Sequence, residues 1–168
     1  MNLRITETRD WETVWKISQS PSIFDRVTND SWGAEHAETR KAHVAILVTN
    51  PQNHTILVQD RYDWTHLGCF LLDRKEPGVF EVHTMLLPEC RGQMAIVAGK
   101  MAMRFAFSLP DVLKLVSYCP TNMPEVYLFA RMCGWRKAGI AAAQWIKNGV
   151  AYPMRMVEAT MNDLPVCL

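Results

Sequence analysis

The sequence predicts a mixed α/β domain, and three observations in its middle third carry that prediction. Val79, Glu81, His83 and Met85 alternate with Phe80, Val82 and Thr84 in the period-two pattern of a pleated strand, which Pro88 ends because it cannot donate to a sheet ladder. From about Arg91 the period becomes helical. Ala95, Ala98, Gly99, Ala102 and Ala106 form a stripe of small side chains beside an apolar stripe of Met94, Val97, Met101 and Phe105. After Leu109-Pro110-Asp111 breaks the helix, the run from Val112 to Tyr118 is again a strand. Strand, helix and strand imply a crossover, so this strand is expected to lie parallel to the one at Val79.

The other elements follow in order. Leu3 to Thr6 alternates as a short first strand, and Thr8 or Asp10 caps a helix carrying Trp11, Val14, Trp15 and Ile17. Pro21 starts a second short helix through Val27, and Asn29 to Gly33 is a turn cluster. Residues 34–43 are polar and mildly helical. His36 and His43 share one helical face there, but no third ligand accompanies them, so the face is read as solvated and no metal is expected. Ala45-Ile46-Leu47-Val48 reads as a buried strand. Thr55 to Asp60 and His66 to Leu72 form an antiparallel hairpin, and a turn from Asp73 to Gly78 leads into the strand at Val79. Pro120-Thr121-Asn122 opens a helix from Glu125 to Met132, stopped at Gly134, and Trp135 to Ile140 and Tyr152 to Thr160 are the closing strands.

Composition bounds the function. A chain of 168 residues suits one domain over 1–168, and 49% apolar with 21% charged residues is a globular balance. A net charge of +1 gives no electrostatic reason to expect nucleic acid or an anionic membrane as partner. No run is long and apolar enough to span a bilayer, and the N-terminus lacks a signal-peptide core. The five cysteines (Cys69, Cys90, Cys119, Cys133 and Cys167) are odd in number and contain no Cys-x-x-Cys pair. Reduced thiols in a cytoplasmic setting are expected, not disulfides or a zinc site.

Two places invite a chemical reading. The first amides of a helix have no intrahelical partners and carry the positive end of its dipole. A helix led by Arg91-Gly92-Gln93 is thus either a phosphate cradle or an ordinary strand-to-helix turn with an exposed arginine. Glu81 and His83 share one strand face, where either can act as general base, or where His83 is a partly buried histidine hydrogen-bonded to Glu81. Cys90 has no nearby base or orienting group and reads as a passive thiol.

In element order the chain resembles the GNAT-type N-acetyltransferase superfamily over nearly its whole length. Leu87-Pro88-Glu89-Cys90-Arg91-Gly92-Gln93 looks like the family's acetyl-CoA pyrophosphate loop. Asn122 to Trp135 looks like its later signature, an asparagine leading a helix that ends in Gly-Trp. The chain also resembles GNAT-like proteins of phages and their bacterial hosts. The resemblance implies a central, mostly antiparallel sheet with a splayed parallel strand pair and helices on both faces. It implies acetyl-CoA held by the backbone of Thr84, Met85 and Leu86 and by Arg91, Gly92, Gln93, Met94, Ala95, Ile96 and Asn122. Asn122 would bridge the splayed strands or contact cofactor, or serve as a helix N-cap.

The implied reaction is acetyl transfer to a primary amine of a small molecule or protein, with Glu81 or His83 as base. Trp11, Trp15, Trp32, Trp64 and Trp145 would supply aromatic surface on the acceptor side. Two departures stand out: Met94 and Ile96 replace later glycines of the loop, and Ala130 stands where many members carry a tyrosine acid. These keep a second expectation open, a catalytically inactive GNAT-like structural or interaction protein, as a homodimer or against a virion or host protein.

Overall fold

In the computed structural model, which describes residues 2–164 (the side chains of 142–144 apart), one seven-stranded sheet organises the molecule. The strands are β1 (Leu3–Glu7), β2 (His54–Asp60), β3 (His66–Glu76), β4 (Val79–Leu86), β5 (Lys114–Pro120), β6 (Arg136–Lys147) and β7 (Val150–Thr160). Their spatial order is β1-β2-β3-β4-β5-β7-β6, and every pairing is antiparallel except β4 with β5. The helices are α1 (Trp11–Ser18), α2 (Pro21–Val27), α3 (Asp30–Ala34), α4 (Ala37–Thr49), α5 (Gln93–Ser108) and α6 (Pro124–Cys133). The mixed α/β class and the parallel crossover through α5 are as expected.

Strand alternation gives the sheet two buried faces. On one, Ile56, Val58, Phe70, Leu72, Phe80 and Val82 pack under α5 and α6. The small stripe of α5 is wholly buried here, so that helix lies close to the strands. On the other, Leu57, Cys69, Leu71 and Met85 meet Val14 and Ile17 of α1, Ile23 of α2, and Val44 and Val48 of α4. His54 ties the sheet's lower corner together. Its Nδ1 lies 2.8 Å from Glu7 Oε1 on β1, and its Nε2 lies 3.1 Å from Asp111 Oδ1 in the connection before β5.

Four local expectations are corrected. Ala45 to Val48 is not a strand but the last turns of α4, whose Val44 and Val48, four residues apart, face the sheet. A four-residue apolar run does not distinguish strand from helix, and the preceding helical residues carry the period through. The Asn29 cluster is not only a turn: the Asn29 side chain accepts from Trp32 N and caps α3. β3 continues to Glu76, leaving the turn to Pro77 and Gly78, because polar Asp73 to Glu76 still pair with β4. β6 likewise runs on to Lys147. Asp10 caps α1 by accepting from Thr13 N at 3.1 Å, while Thr8 accepts from Asp10 N. Gly134 ends α6 at φ 106°, a left-handed conformation that favours glycine. The four described cysteines are free and buried; Cys167 lies outside the described residues.

Candidate functional site

The site is built where β4 and β5 part. They pair at Val79 with Lys114, Phe80 with Leu115 and Glu81 with Val116, and no further. Beyond this, β5 stays on β7 as far as Pro120 while β4 stays on β3. At the apex of the resulting wedge the Ser117 hydroxyl donates to the Val82 carbonyl at 2.9 Å. Backbone polar groups alternate in direction along a strand, so those of Thr84 and Leu86 point the same way as Val82, into the wedge. Thr84, Ser117, Cys119, Phe129, Ala130 and Cys133 help line a narrow cleft on its α5–α6 side. Gly68 lets β3 pass the end of β4 closely: a Cβ there would strike the Met85 carbonyl oxygen and lie 2.8 Å from Leu86 Cα.

The loop after β4 leads directly into α5. Cys90 N donates to Leu87 O at 2.9 Å and the Cys90 side chain is buried, which turns the chain sharply while Arg91, Gly92 and Gln93 stay exposed. Gly92 holds the N-cap position at φ 58°, a left-handed conformation, and has no side chain with which to cap the helix. The first helical bond is Ile96 N to Gly92 O at 3.3 Å, so the amides of Gln93, Met94 and Ala95 have no partner within the helix. Apart from Gly92 and its two chain neighbours, nothing described lies within 4 Å of where a Gly92 Cβ would stand. Met94 is half-buried against the core, and Ala95 and Ile96 are buried. Of the two side chains that replace glycines, Met94 thus packs against the core.

On the opposite sheet face, beneath the N-terminal helices, Glu81 and His83 stand side by side. His83 Nε2 lies 3.8 Å from Glu81 Oε1, and Lys75 Nζ lies 3.0 Å from Glu81 Oε2 and 2.7 Å from Asp73 Oδ2. Desolvation holds His83 below the ordinary histidine value; Glu81 works against this, and Lys75 works with it. The side chain is still 44% exposed, so solvent reaches the ring. Trp32 meets His43 of α4 edge-on, with ring centroids 5.0 Å apart. Trp11, Trp15 and Trp32 are partly buried and pack against the core on this face. Trp64 does not belong to it. It lies beside Leu3, Ile5 and Met101 with Arg4 stacked on its ring at 3.8 Å, at the edge of the α5 face.

Asn122 is exposed, and the N-cap position of α6 is filled by Met123. The bond across the parallel pair belongs to Ser117, which sequence reading missed. Its signal is faint: a hydroxyl at a position whose neighbours on that face, Leu115 and Cys119, are buried. Ala130 presents only a methyl group to the cleft, and Tyr127 is engaged with Arg155, whose guanidinium carbon lies 5.1 Å from its ring centroid. Burial pushes the thiols of Cys119 and Cys133 up to about 11 and about 12, and that of Cys90 to about 11, leaving all three protonated at neutral pH.

Solved structures share this architecture. A spermidine N-acetyltransferase from Vibrio cholerae in complex with CoA and spermine is similar at TM-score 0.78, with 13% identity over 97% of this chain and 98% of that one. A chimera of the Vibrio cholerae spermidine N-acetyltransferase and hSSAT is similar at TM-score 0.77, with 13% identity over 98% of both chains. Mutant forms of the Vibrio cholerae spermidine/spermine N-acetyltransferase are similar at TM-score 0.76, with 14% identity over 97% of this chain and 96% of that one. At such identities the likeness establishes the GNAT fold and leaves chemistry to the site. No curated protein matches the chain. A family profile described as protein of unknown function (DUF2824) matches residues 45–168, from the end of α4 through the whole site, and the chain belongs to that family.

Proposed function

We propose that the chain is an acetyl-CoA-dependent N-acetyltransferase acting on a primary amine. The observation that carries this reading is the wedge between β4 and β5, continuous in sequence with an uncapped helix start. Backbone donors and acceptors facing an open wedge and free amides at Gln93, Met94 and Ala95 fit a ligand with amide groups at one end and phosphates at the other. The CoA and spermine bound by the Vibrio cholerae neighbour support the same pairing of ligands. As part of this reading, residues 1–168 act as a single domain in the cytoplasm of a bacterium or a phage-infected host.

Bound there, acetyl-CoA would supply an acetyl group activated as a thioester. The chain's own residues would do the rest. The opening amides of α5 and the Arg91 guanidinium hold the diphosphate, and Gly92 keeps the approach clear. Thr84 and Leu86 orient the ligand by hydrogen bonds from the strand, which fixes the reacting carbon near the acceptor. His83, kept neutral at pH 7, takes the proton from the amine, and Glu81 stabilises the imidazolium that results. Met85 and Ile96 contribute through backbone position only, their side chains being buried.

Calorimetric titration with acetyl-CoA, with free CoA as comparison, tests the reading. Micromolar binding is expected, lost in Gly92→Glu through backbone strain and charge repulsion at the diphosphate. Absence of binding up to millimolar ligand would favour the second reading, a GNAT fold retained for interaction with a virion or host protein. Ala130 and the side chains at Met94 and Ile96 are the observations on its side.

A further inference from the structure

β1 is an edge strand of the sheet, and beside it lies a cleft that the acetyltransferase reading does not use. The bonds from Arg61 N to Asn2 O and from Thr8 N to Thr55 O fix which residues of this strand turn toward β2, namely the even-numbered ones. Backbone direction alternates along a strand, so the amides and carbonyls of Leu3, Ile5 and Glu7 point away from the sheet. Among the described residues nothing pairs with them. The cleft holds about 520 Å³ and is lined by Leu3, Ile5 and Met101, by Trp64, and by Arg4 and Arg61. It shares no lining residue with the cleft at the wedge.

The two arginines lack an anion. The Arg4 guanidinium lies 3.8 Å from the Trp64 ring centroid, and stacking on an indole leaves its in-plane N–H donors available. Among the described residues neither Arg4 nor Arg61 has a carboxylate partner, although two carboxylates are near in sequence. Asp60 accepts from Tyr62 N at 2.7 Å, and Glu7 is engaged by His54 at 2.8 Å and Arg9 at 3.7 Å. Trp64 stands at φ 65°, a left-handed conformation unfavourable to a bulky side chain, and its ring remains more than half exposed. The chain thus holds an indole and a guanidinium at the cleft at a local cost in backbone energy.

We propose that the β1 edge is a docking site for an extended, acidic segment of a partner protein. The segment pairs with the outward backbone groups of Leu3, Ile5 and Glu7, lays an apolar side chain in the cleft, and sets carboxylates against Arg4 and Arg61. Each feature selects part of this chemistry. A row of alternating donors and acceptors matches the backbone of an extended peptide. Unpaired guanidiniums match carboxylates, which they bind in a planar, two-bonded geometry. The apolar lining and the Trp64 ring give one side chain a place out of water. A second copy of β1 fits poorly, because it would bring another Arg4 and Arg61 to a surface already short of anions.

The test uses two end-blocked peptides of about ten residues, one alternating Glu with Val and the other Lys with Val. In calorimetric titration the acidic peptide is expected to bind at least ten-fold more tightly than the basic one, about 1.4 kcal/mol. In the Arg4→Gln, Arg61→Gln double variant that preference should shrink to about two-fold or less. Amide exchange in the wild-type protein locates the binding. The amides of Leu3, Ile5 and Glu7 should exchange fast in the free protein and slowly with the acidic peptide bound, while those of Arg4 and Thr6, already bonded to β2, change little. No binding up to millimolar peptide, equal affinity for the two peptides, or a preference that survives in the double variant overturns the proposal. So does protection along β6, the sheet's other edge strand, in place of β1. Protection at Leu3, Ile5 and Glu7 that rises with protein concentration in the absence of peptide would show that a second copy covers the edge, and would overturn it as well.

Discussion

The ring of His83 meets opposing influences, desolvation against the charge of Glu81, and desolvation prevails. A histidine held below its ordinary value is a free base at neutral pH. The pH–rate profile is therefore expected to lose activity on the acid side below the usual histidine range, and His83→Ala should abolish that limb while leaving acetyl-CoA affinity within two-fold (roughly 0.4 kcal/mol). An unchanged profile would remove His83 from proton transfer. The same shift affects stability. Between the ordinary value and the lowered one the unfolded chain binds more protons, so stability falls as pH falls through that window. Ser117 is the other informative residue. Ser117→Ala removes one bond at the wedge apex and should cost about 1 kcal/mol in denaturant unfolding, with weaker acetyl-CoA binding.

At the scale of elements, the site depends on how strands and helices end. Gly68→Ala should destabilise by about 2 kcal/mol or more, because the added methyl meets backbone of β4 that cannot move aside, at a φ of 147°. Chemical denaturation measures this directly. The β6–β7 hairpin is held by a different device. Both Asp30 carboxylate oxygens accept from its tip, one from Asn148 N and one from Gly149 N, each at 2.8 Å, and Lys147 Nζ donates to Thr28 O at 3.0 Å. The Gly149 and Asn148 amides hold the Asp30 carboxyl below the usual carboxylate range. Asp30→Ala should speed amide exchange at Asn148 and Gly149 while leaving exchange in α5 unchanged. Slow exchange at the hairpin tip in that variant would show that the carboxylate does not hold it.

For the whole molecule, one sheet separates two apolar layers, and the four described cysteines are divided between them. Cys69 lies in the layer under α1 and α4, and Cys90, Cys119 and Cys133 lie in the layer under α5 and α6. Burial pushes Cys69 up to about 12, so these thiols are both inaccessible and protonated. In a Cys167→Ser variant, thiol labelling should therefore report unfolding, with reaction at Cys69 and Cys133 appearing together if the two layers unfold as one. Reaction at one thiol well before the other would show that the layers separate.

The α/β class, the strand at Val79, the crossover helix and the place where α5 begins were legible in the chain, because each rests on local periodicity or on a single residue such as Pro88 or Gly134. The reading of Ala45 to Val48 failed because four apolar residues satisfy both periods, and only packing against the sheet selects the helix. The wedge does not follow from periodicity; only the family resemblance, with its splayed parallel pair, pointed to it. Whether β5 leaves β4 after Val116 depends on β7 holding β5 and β3 holding β4, contacts between residues far apart in sequence. The same is true of Lys75. Its place between Asp73 and Glu81 follows from the strand register, which brings Glu81 opposite Asp73. Periodicity along the chain therefore determined the elements and the loop that leads α5. Pairing across the sheet decided which backbone groups stay free and which charges meet.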